Sequence, residues 1–547
     1  MQAKRIVTSK RIAIIALLVL AVCLPLNARR QSRFTRPTQP SRDRARVGQF
    51  QSQKRFSGTG LNRIDTLVMA NLRKQGIPPA GICNDQVFLR RAYLDVTGTL
   101  PEPQEIRKFF NNPSPSIRKR TALIHSLLQS DDFADYWSLK WGDLLRIKAE
   151  FPINLWPNAV QAYHRWIHDA LHENMPYDQF ARELLTSSGS NFRVPQVNFY
   201  RAIQGKEPSA IASAVALTFM GVRLDKWPEE KRSQMEAFFS RVAYKGTAEW
   251  KEEIVYLDPS ATEPLEAVLP DGSIVQIKPG EDPRAAFADW LISPDNKWFA
   301  RNIVNRIWAW LMGRGLIHEP DDIRTDNPAV HPQVLAYLEK ELIKSKYDLR
   351  HIFGLILGSA TYQQSSIPKA DHAEAEKWFA CYPVRRLEAE VLIDALCWIS
   401  QTQETYSSPI PEPFTFIPGY NRTIELADGS ITSQFLEMFG RPTRDTGLES
   451  ERKNEPTDSQ RLHMLNSSHI QTKIDRSNRI NTLVKNAKGK RPNLIGEVYL
   501  TILSRYPSQE ELAVAEQYLQ TRGLGLRQAT SDLVWALINT KEFLYRH

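Results

Sequence analysis

The sequence predicts a mainly α protein: two helical domains joined by a small β-hairpin insert. Three observations carry that reading. After residue 61 most segments repeat apolar residues at helical spacing, punctuated by several of the 34 prolines. Residues 246–282 break the pattern, because Glu253–Leu257 reads as a strand and Pro270-Asp271-Gly272 sits between short apolar runs like a hairpin turn. No fixed-period repeat is visible, and 547 residues with 42 % hydrophobic content suffice for two or three full cores.

Residues 1–28 read as a secretory signal. Lys4, Arg5, Lys10 and Arg11 precede the 15-residue apolar run Ile12–Leu26, and Leu26-Asn27-Ala28 offers a cleavage site. A spanning helix needs roughly 20 apolar residues, so cleavage is expected, with an uncleaved membrane anchor as the alternative. The chain would then be exported to the periplasm or cell envelope. Residues 29–60 hold nine basic residues and almost no aliphatic ones, the composition of a disordered basic linker. The charge sits there too. Residues 1–60 carry 13 Lys and Arg against Asp43 alone, so the whole-chain +10 leaves the other 487 residues at −2. A near-neutral body does not suit nucleic-acid binding.

The first helical domain is expected over 61–245. Ile64, Leu67, Val68 and Leu72 form one apolar stripe ended by Gly76, and Asn84 caps the next helix. Further helices are expected at 118–129, 132–147, 160–173, 177–186 and 209–220. Cys83, Cys381 and Cys397 are too few and too far apart for a disulfide framework and read as buried thiols.

The second helical domain, 283–547, opens with the richest stretch of the chain. Asp295 and Asn296 offer an N-cap, Phe299, Ile303, Ile307 and Leu311 a stripe, and Gly313 a C′ stop. Asn305 and Arg306 lie off that stripe. A loop follows with Arg314, Asp321, Asp322 and His331. Carboxylates and a histidine suit acid–base work or a divalent cation, but the spacing fits neither an EF-hand nor a His-x-x-x-His zinc site, and turn caps paired with Arg314 and Arg324 are the plainer reading. Farther on, Arg441, Arg444 and Arg452 could clamp a sulfate or carboxylate, with Glu449, Glu451 and His463 as acid–base candidates; buried Arg–Glu networks compete with that reading. Trp137, Trp141, Trp166, Trp308 and Trp310 sit at helical spacing and read as core. A Gly-x-Ser-x-Gly elbow, a P-loop and a dinucleotide fingerprint are all absent from the sequence.

The run from Asn305 to Pro332, NRIWAWLMGRGLIHEPDDIRTDNPAVHP, and the run Leu89–Pro101, LRRAYLDVTGTLP, resemble the paired domains of unknown function 1549 and 1553. That family comprises exported bacterial proteins first described in planctomycetes as cytochrome c-associated. The resemblance implies a cell-envelope setting, and in haem-bearing relatives a Cys-x-x-Cys-His motif after a Gly-Val-Arg-Leu-like run. Here Gly221-Val222-Arg223-Leu224 leads into Asp225-Lys226-Trp227, and no such motif occurs in the chain, so neither covalent haem nor another cofactor is expected. Phe439-Gly440-Arg441-Pro442 likewise leads to Leu448-Glu449-Ser450-Glu451-Arg452 where relatives show a cysteine-bearing run. The function expected is a non-haem scaffold that docks an envelope protein partner or an anionic, sulfated glycan. The rival is an exported polysaccharide hydrolase using the carboxylates and histidines named above.

Overall fold

A computed structural model describes residues 61–369 and 374–547. The expected signal and basic linker lie outside the described residues. About 53 % of the chain is helical and 6 % strand, so the mainly α class holds. Local signals set many helix ends. Asn62 and Asp65 form a capping box on Arg63–Gln75, and Gly76 closes that helix at φ 69°. Ser508 and Glu511 do the same for Gln509–Leu519.

The strands are few. β1 (Gly189–Ser190), β2 (Val242–Gly246) and β3 (Glu253–Leu257) form an antiparallel sheet in the order β1-β3-β2. β4 (Leu265–Val268) and β5 (Ile274–Ile277) make the expected hairpin around Pro270–Ser273. β6 (Arg385–Arg386) pairs with β7 (Tyr545–Arg546), a connection invisible in sequence because each strand is two residues long. The helix that follows β6 begins at Ala389, and the short helix Lys541–Leu544 leads into β7. Arg386 and Glu390 do not pair with each other: Arg386 donates to backbone oxygens of Leu387, Phe439 and Lys453, while Glu390 binds Arg452.

One continuous apolar core runs through both helical halves. The Phe299–Met312 helix lies in its middle, where every residue but Arg301 is buried. Its N-terminus is capped by Asn296, whose side-chain oxygen accepts the amides of Trp298 and Phe299 at 2.9 and 3.0 Å. Trp137 and Trp141, from the Asp131–Leu144 helix, pack on Trp310 with ring centroids 5.3 and 6.1 Å apart. Burying such rings is worth roughly 25 cal/mol per Å² removed from water, so this aromatic seam ties the halves together.

Buried polar groups cross the same boundary. The Asp65 carboxylate accepts the amides of Ala360 and Thr361 at 2.9 and 2.8 Å. Arg90 donates to the oxygens of Ile502 and Phe543, and Arg91 to those of Tyr362, Gln364 and His547. Asp95, fully buried, takes the hydroxyls of Tyr362 and Tyr382 and the guanidinium of Arg385. The residues of the Leu89–Pro101 run are thus docking points for the second half. No helix among the described residues is long and apolar enough to cross a membrane.

Candidate functional site

The two charged stretches of the second half meet. On the Phe299–Met312 helix, Asn305 clamps the loop that follows it. Its side chain donates to Ile317 O at 3.0 Å and accepts from Ile317 N at 2.9 Å. On the next residue, Arg306 Nη2 binds Asp321 Oδ1 at 2.6 Å, with both side chains only 1 % exposed. Asp321 Oδ2 accepts the backbone N–H of Glu449 at 2.7 Å. Arg306 Nη1 lies 3.8 Å from Glu449 Oε2, which also accepts the indole N–H of Trp310 at 3.0 Å. Two carboxylates therefore share one buried guanidinium.

Glu449 is unusual among these groups. Its carboxyl is recessed among the packed elements, yet 35 % of the side chain still touches solvent. Burial raises its pKa above the usual carboxylate value, and the nearby Lys140 and Arg306 cations offset this only in part. Trp310 also lines a crevice with Phe133, Trp137, Trp141 and Phe353 that has room for about one water molecule. An oligosaccharide does not fit in it.

A second knot adjoins the first. Asp143, on the Asp131–Leu144 helix, binds Arg444 Nε at 2.9 Å and Arg452 Nη2 at 2.6 Å. Burial works against its charge, but Arg452 and Arg444 win and hold its pKa below the usual range. Arg452 also grips Glu390 at 2.7 Å. Arg444 further donates to the backbone oxygens of Ala427 and Ile147. Lys140, one turn before Asp143, pairs with Glu388, whose pKa falls well below the usual value because Lys140, Arg452 and Arg546 outweigh its burial. Sequence reading pointed to Arg444 and Arg452 but missed Asp143, Lys140, Glu388 and Glu390. The one available signal was three charged residues, Lys140, Asp143 and Arg146, close to the apolar Trp137 and Trp141 on one helical segment.

The remaining candidates lie apart. Asp322 pairs with Arg324 at 3.0 Å, and Arg324 reaches Asp326 at 3.3 Å. Arg314 makes no ion pair among the described residues, and burial lowers its pKa. His331, 2 % exposed, meets Asn71 Nδ2 through Nδ1 at 2.9 Å and the Trp378 oxygen through Nε2 at 3.0 Å. Burial lowers its pKa, so it is a neutral clasp between helices. Glu451 accepts the amides of Thr446 and Asp445 and caps its own loop. His463 lies 3.4 Å from His469, which binds Glu404 at 2.7 Å. Arg441 is half-buried without an ion pair among the described residues, and burial lowers its pKa as well. Among the described residues no group of three or more His, Cys, Asp or Glu could hold a metal ion.

The Gly-Val-Arg-Leu run abuts this region. Asn302 Nδ2 donates to Thr218 O at 2.8 Å, Ile323 N donates to Gly221 O at 2.9 Å, and Arg223 binds Glu319 at 2.8 Å. Gly221 sits at φ 64°, and a Cβ there would lie 2.6 Å from Asn302 Oδ1. The segment from Phe219 to Arg241 contains neither cysteine nor histidine, so its residues do not fit a covalent haem.

Two family models match the chain. PSCyt2, a protein of unknown function (DUF1549), covers residues 63–244, and PSD1, a protein of unknown function (DUF1553), covers residues 283–519. The chain belongs to this paired-domain family. No curated protein and no solved structure matches it. The two matched segments of this paired-domain chain flank the β4–β5 hairpin, and the Leu89–Pro101 run of the first binds the second: Arg91 donates to the oxygens of Tyr362 and Gln364, and Asp95 takes the Tyr362 hydroxyl and the Arg385 guanidinium.

Proposed function

We propose that this protein is an exported, non-haem binding and assembly scaffold of the cell envelope, docking a partner protein or an anionic glycan. The supporting observation is the state of its charged motifs. Both oxygens of Asp321 are taken, by Arg306 and by the Glu449 amide. Asp143 binds both Arg444 and Arg452, and His331 and Glu451 serve the backbone around them. A general acid or base must be free to reach a substrate proton. These groups instead cross-link helices, as a rigid scaffold requires.

One observation favours a second reading, a polysaccharide hydrolase: Glu449 is recessed, solvent-touched and raised in pKa, as a general acid is. Reducing-end release from a panel of exported polysaccharides, compared between the parental chain and Glu449→Gln, decides between them. The scaffold reading expects no turnover by either. Turnover abolished by Glu449→Gln would sink it.

A further inference from the structure

Three segments far apart in sequence bring one half-buried and two exposed aromatic rings together. Trp156 comes from the loop before the Pro157–His172 helix, Trp250 from the β2–β3 turn, and Phe414 from the proline-rich stretch after residue 401. Trp156 and Trp250 meet edge to face at 4.7 Å; Phe414 lies 4.9 Å from Trp250 and 5.8 Å from Trp156. Trp250 is 56 % exposed and Phe414 43 %. The adjoining stretches add Phe151, Phe416 and Tyr420, exposed at 80, 70 and 79 %. Large apolar side chains rarely stay in water on several converging loops without a use.

The backbone holds this arrangement against its own preference. Trp156 sits at φ 73°, ψ 147°, a region that bulky residues avoid, and Lys251 sits at φ 63°. Fully buried Asn191 pins the turn by donating to Lys251 O and accepting the Glu253 amide. Lys251 lays its Nζ 4.9 Å from the Trp156 ring and 5.7 Å from the Trp250 ring. It has no carboxylate partner among the described residues. The cluster is therefore an aromatic wall beside an uncompensated cation.

We propose that this wall is a glycan-binding site for a sulfated or uronate-bearing sugar chain. Sugar rings present C–H faces that stack on indole and phenyl rings, and Lys251 supplies the charge for a sulfate or carboxylate substituent. The composition favours this over a lipid surface. The exposed large aliphatics Ile117, Ile274, Ile367, Val384 and Leu462 all lie in other segments, whereas membrane-inserting loops mix aliphatic with aromatic residues. The proposal rests on the scaffold reading and names the site and ligand class through which the scaffold would act.

The test is titration of the full chain with sulfated hexasaccharides of chondroitin, heparin and carrageenan type, followed by tryptophan fluorescence and calorimetry. Desulfated hexamers and phosphatidylglycerol vesicles run in parallel. Saturable binding to at least one sulfated hexamer is expected, weakened at least tenfold in Trp250→Ala and about threefold in Lys251→Gln. Circular dichroism should stay unchanged, because both side chains are exposed. The desulfated partner should bind more weakly and ignore Lys251→Gln. Three results overturn the proposal: no sulfated hexamer binds, Trp250→Ala binds like the parent, or only vesicles bind and Trp250→Ala abolishes it. The first two leave a protein-docking scaffold standing. Turnover of a bound hexamer would instead sink the scaffold reading and keep the sugar site.

Discussion

The backbone amide of Glu449 donates to Asp321 Oδ2 at 2.7 Å, joining stretches 128 residues apart. The other oxygen of Asp321 belongs to Arg306, whose Nε and Nη1 are buried without a hydrogen-bond partner among the described residues. Asp321 is the carboxylate that hydrogen-bonds that guanidinium; Glu449 lies farther off, at 3.8 Å. Asp321→Ala should destabilise the fold by roughly 3–5 kcal/mol, because it leaves a buried charge with only the more distant carboxylate facing it. The double variant Arg306→Met, Asp321→Leu should recover most of that loss. Urea unfolding of the parental chain and the two variants checks both, and an Asp321→Ala loss below about 1 kcal/mol would show that the pair is not a buried one.

His164 should make the protein acid-sensitive. Burial, with help from the cations Arg444 and His168, lowers its pKa from 6.5 to about 3, and its Nε2 is buried without a hydrogen-bond partner among the described residues. Between those values the unfolded chain binds a proton that the folded chain refuses. Stability from this group is complete above pH 6.5 and is lost as pH falls toward 3. His164→Gln should flatten the stability curve in that window, measured by chemical unfolding at several pH values; an unchanged slope counts against the assignment.

Gly440→Ala should be among the most damaging single changes. Gly440 sits at φ 83°, and a Cβ would lie 1.8 Å from the Lys453 carbonyl oxygen. Lys453 N donates back to Gly440 O, so two backbone strands are locked and neither can give way. A loss of at least ~2 kcal/mol is expected in thermal or chemical unfolding. Gly272→Ala, with a positive φ but nothing within 4 Å, is the control that isolates the clash from conformational strain.

The two family-matched segments should not fold separately. Residues 61–282 alone would leave Asp65, Arg90, Arg91, Asp95 and Asp143 buried or exposed without their partners, and would strip the cover from Trp137 and Trp141. Expressed alone, this fragment should lack cooperative unfolding and near-ultraviolet dichroism, whereas co-expression with residues 283–547 should restore both.

Much of the architecture was legible because it is local. Asn84 and Ser508 announce helix starts, Gly76 and Gly313 announce ends, and the stripe Phe299, Ile303, Ile307, Leu311 is buried as its spacing implies. What stayed hidden depends on contacts across hundreds of residues. Spacing identifies Arg444 and Arg452 as clustered cations, but nothing in sequence says that their carboxylate is Asp143. Spacing marks Trp137 as core, but nothing in the sequence says that Trp250, on a turn, meets Trp156 and Phe414. Strands as short as β6 and β7 carry too few residues for any period to register.

Arg90 and Arg91 reach oxygens of residues 412 to 456 positions farther along the chain. Measured in time, that distance is a delay. At about 5–20 residues per second, a growing polypeptide exhibits these two arginines roughly 20–90 s before their acceptors exist. Arg91 finds its first acceptors, Tyr362 and Gln364, earlier, but Arg90 has to wait for Ile502 and Phe543. Closing the interior around Arg90 before then would strand a guanidinium without a partner, so that part of the core is completed last.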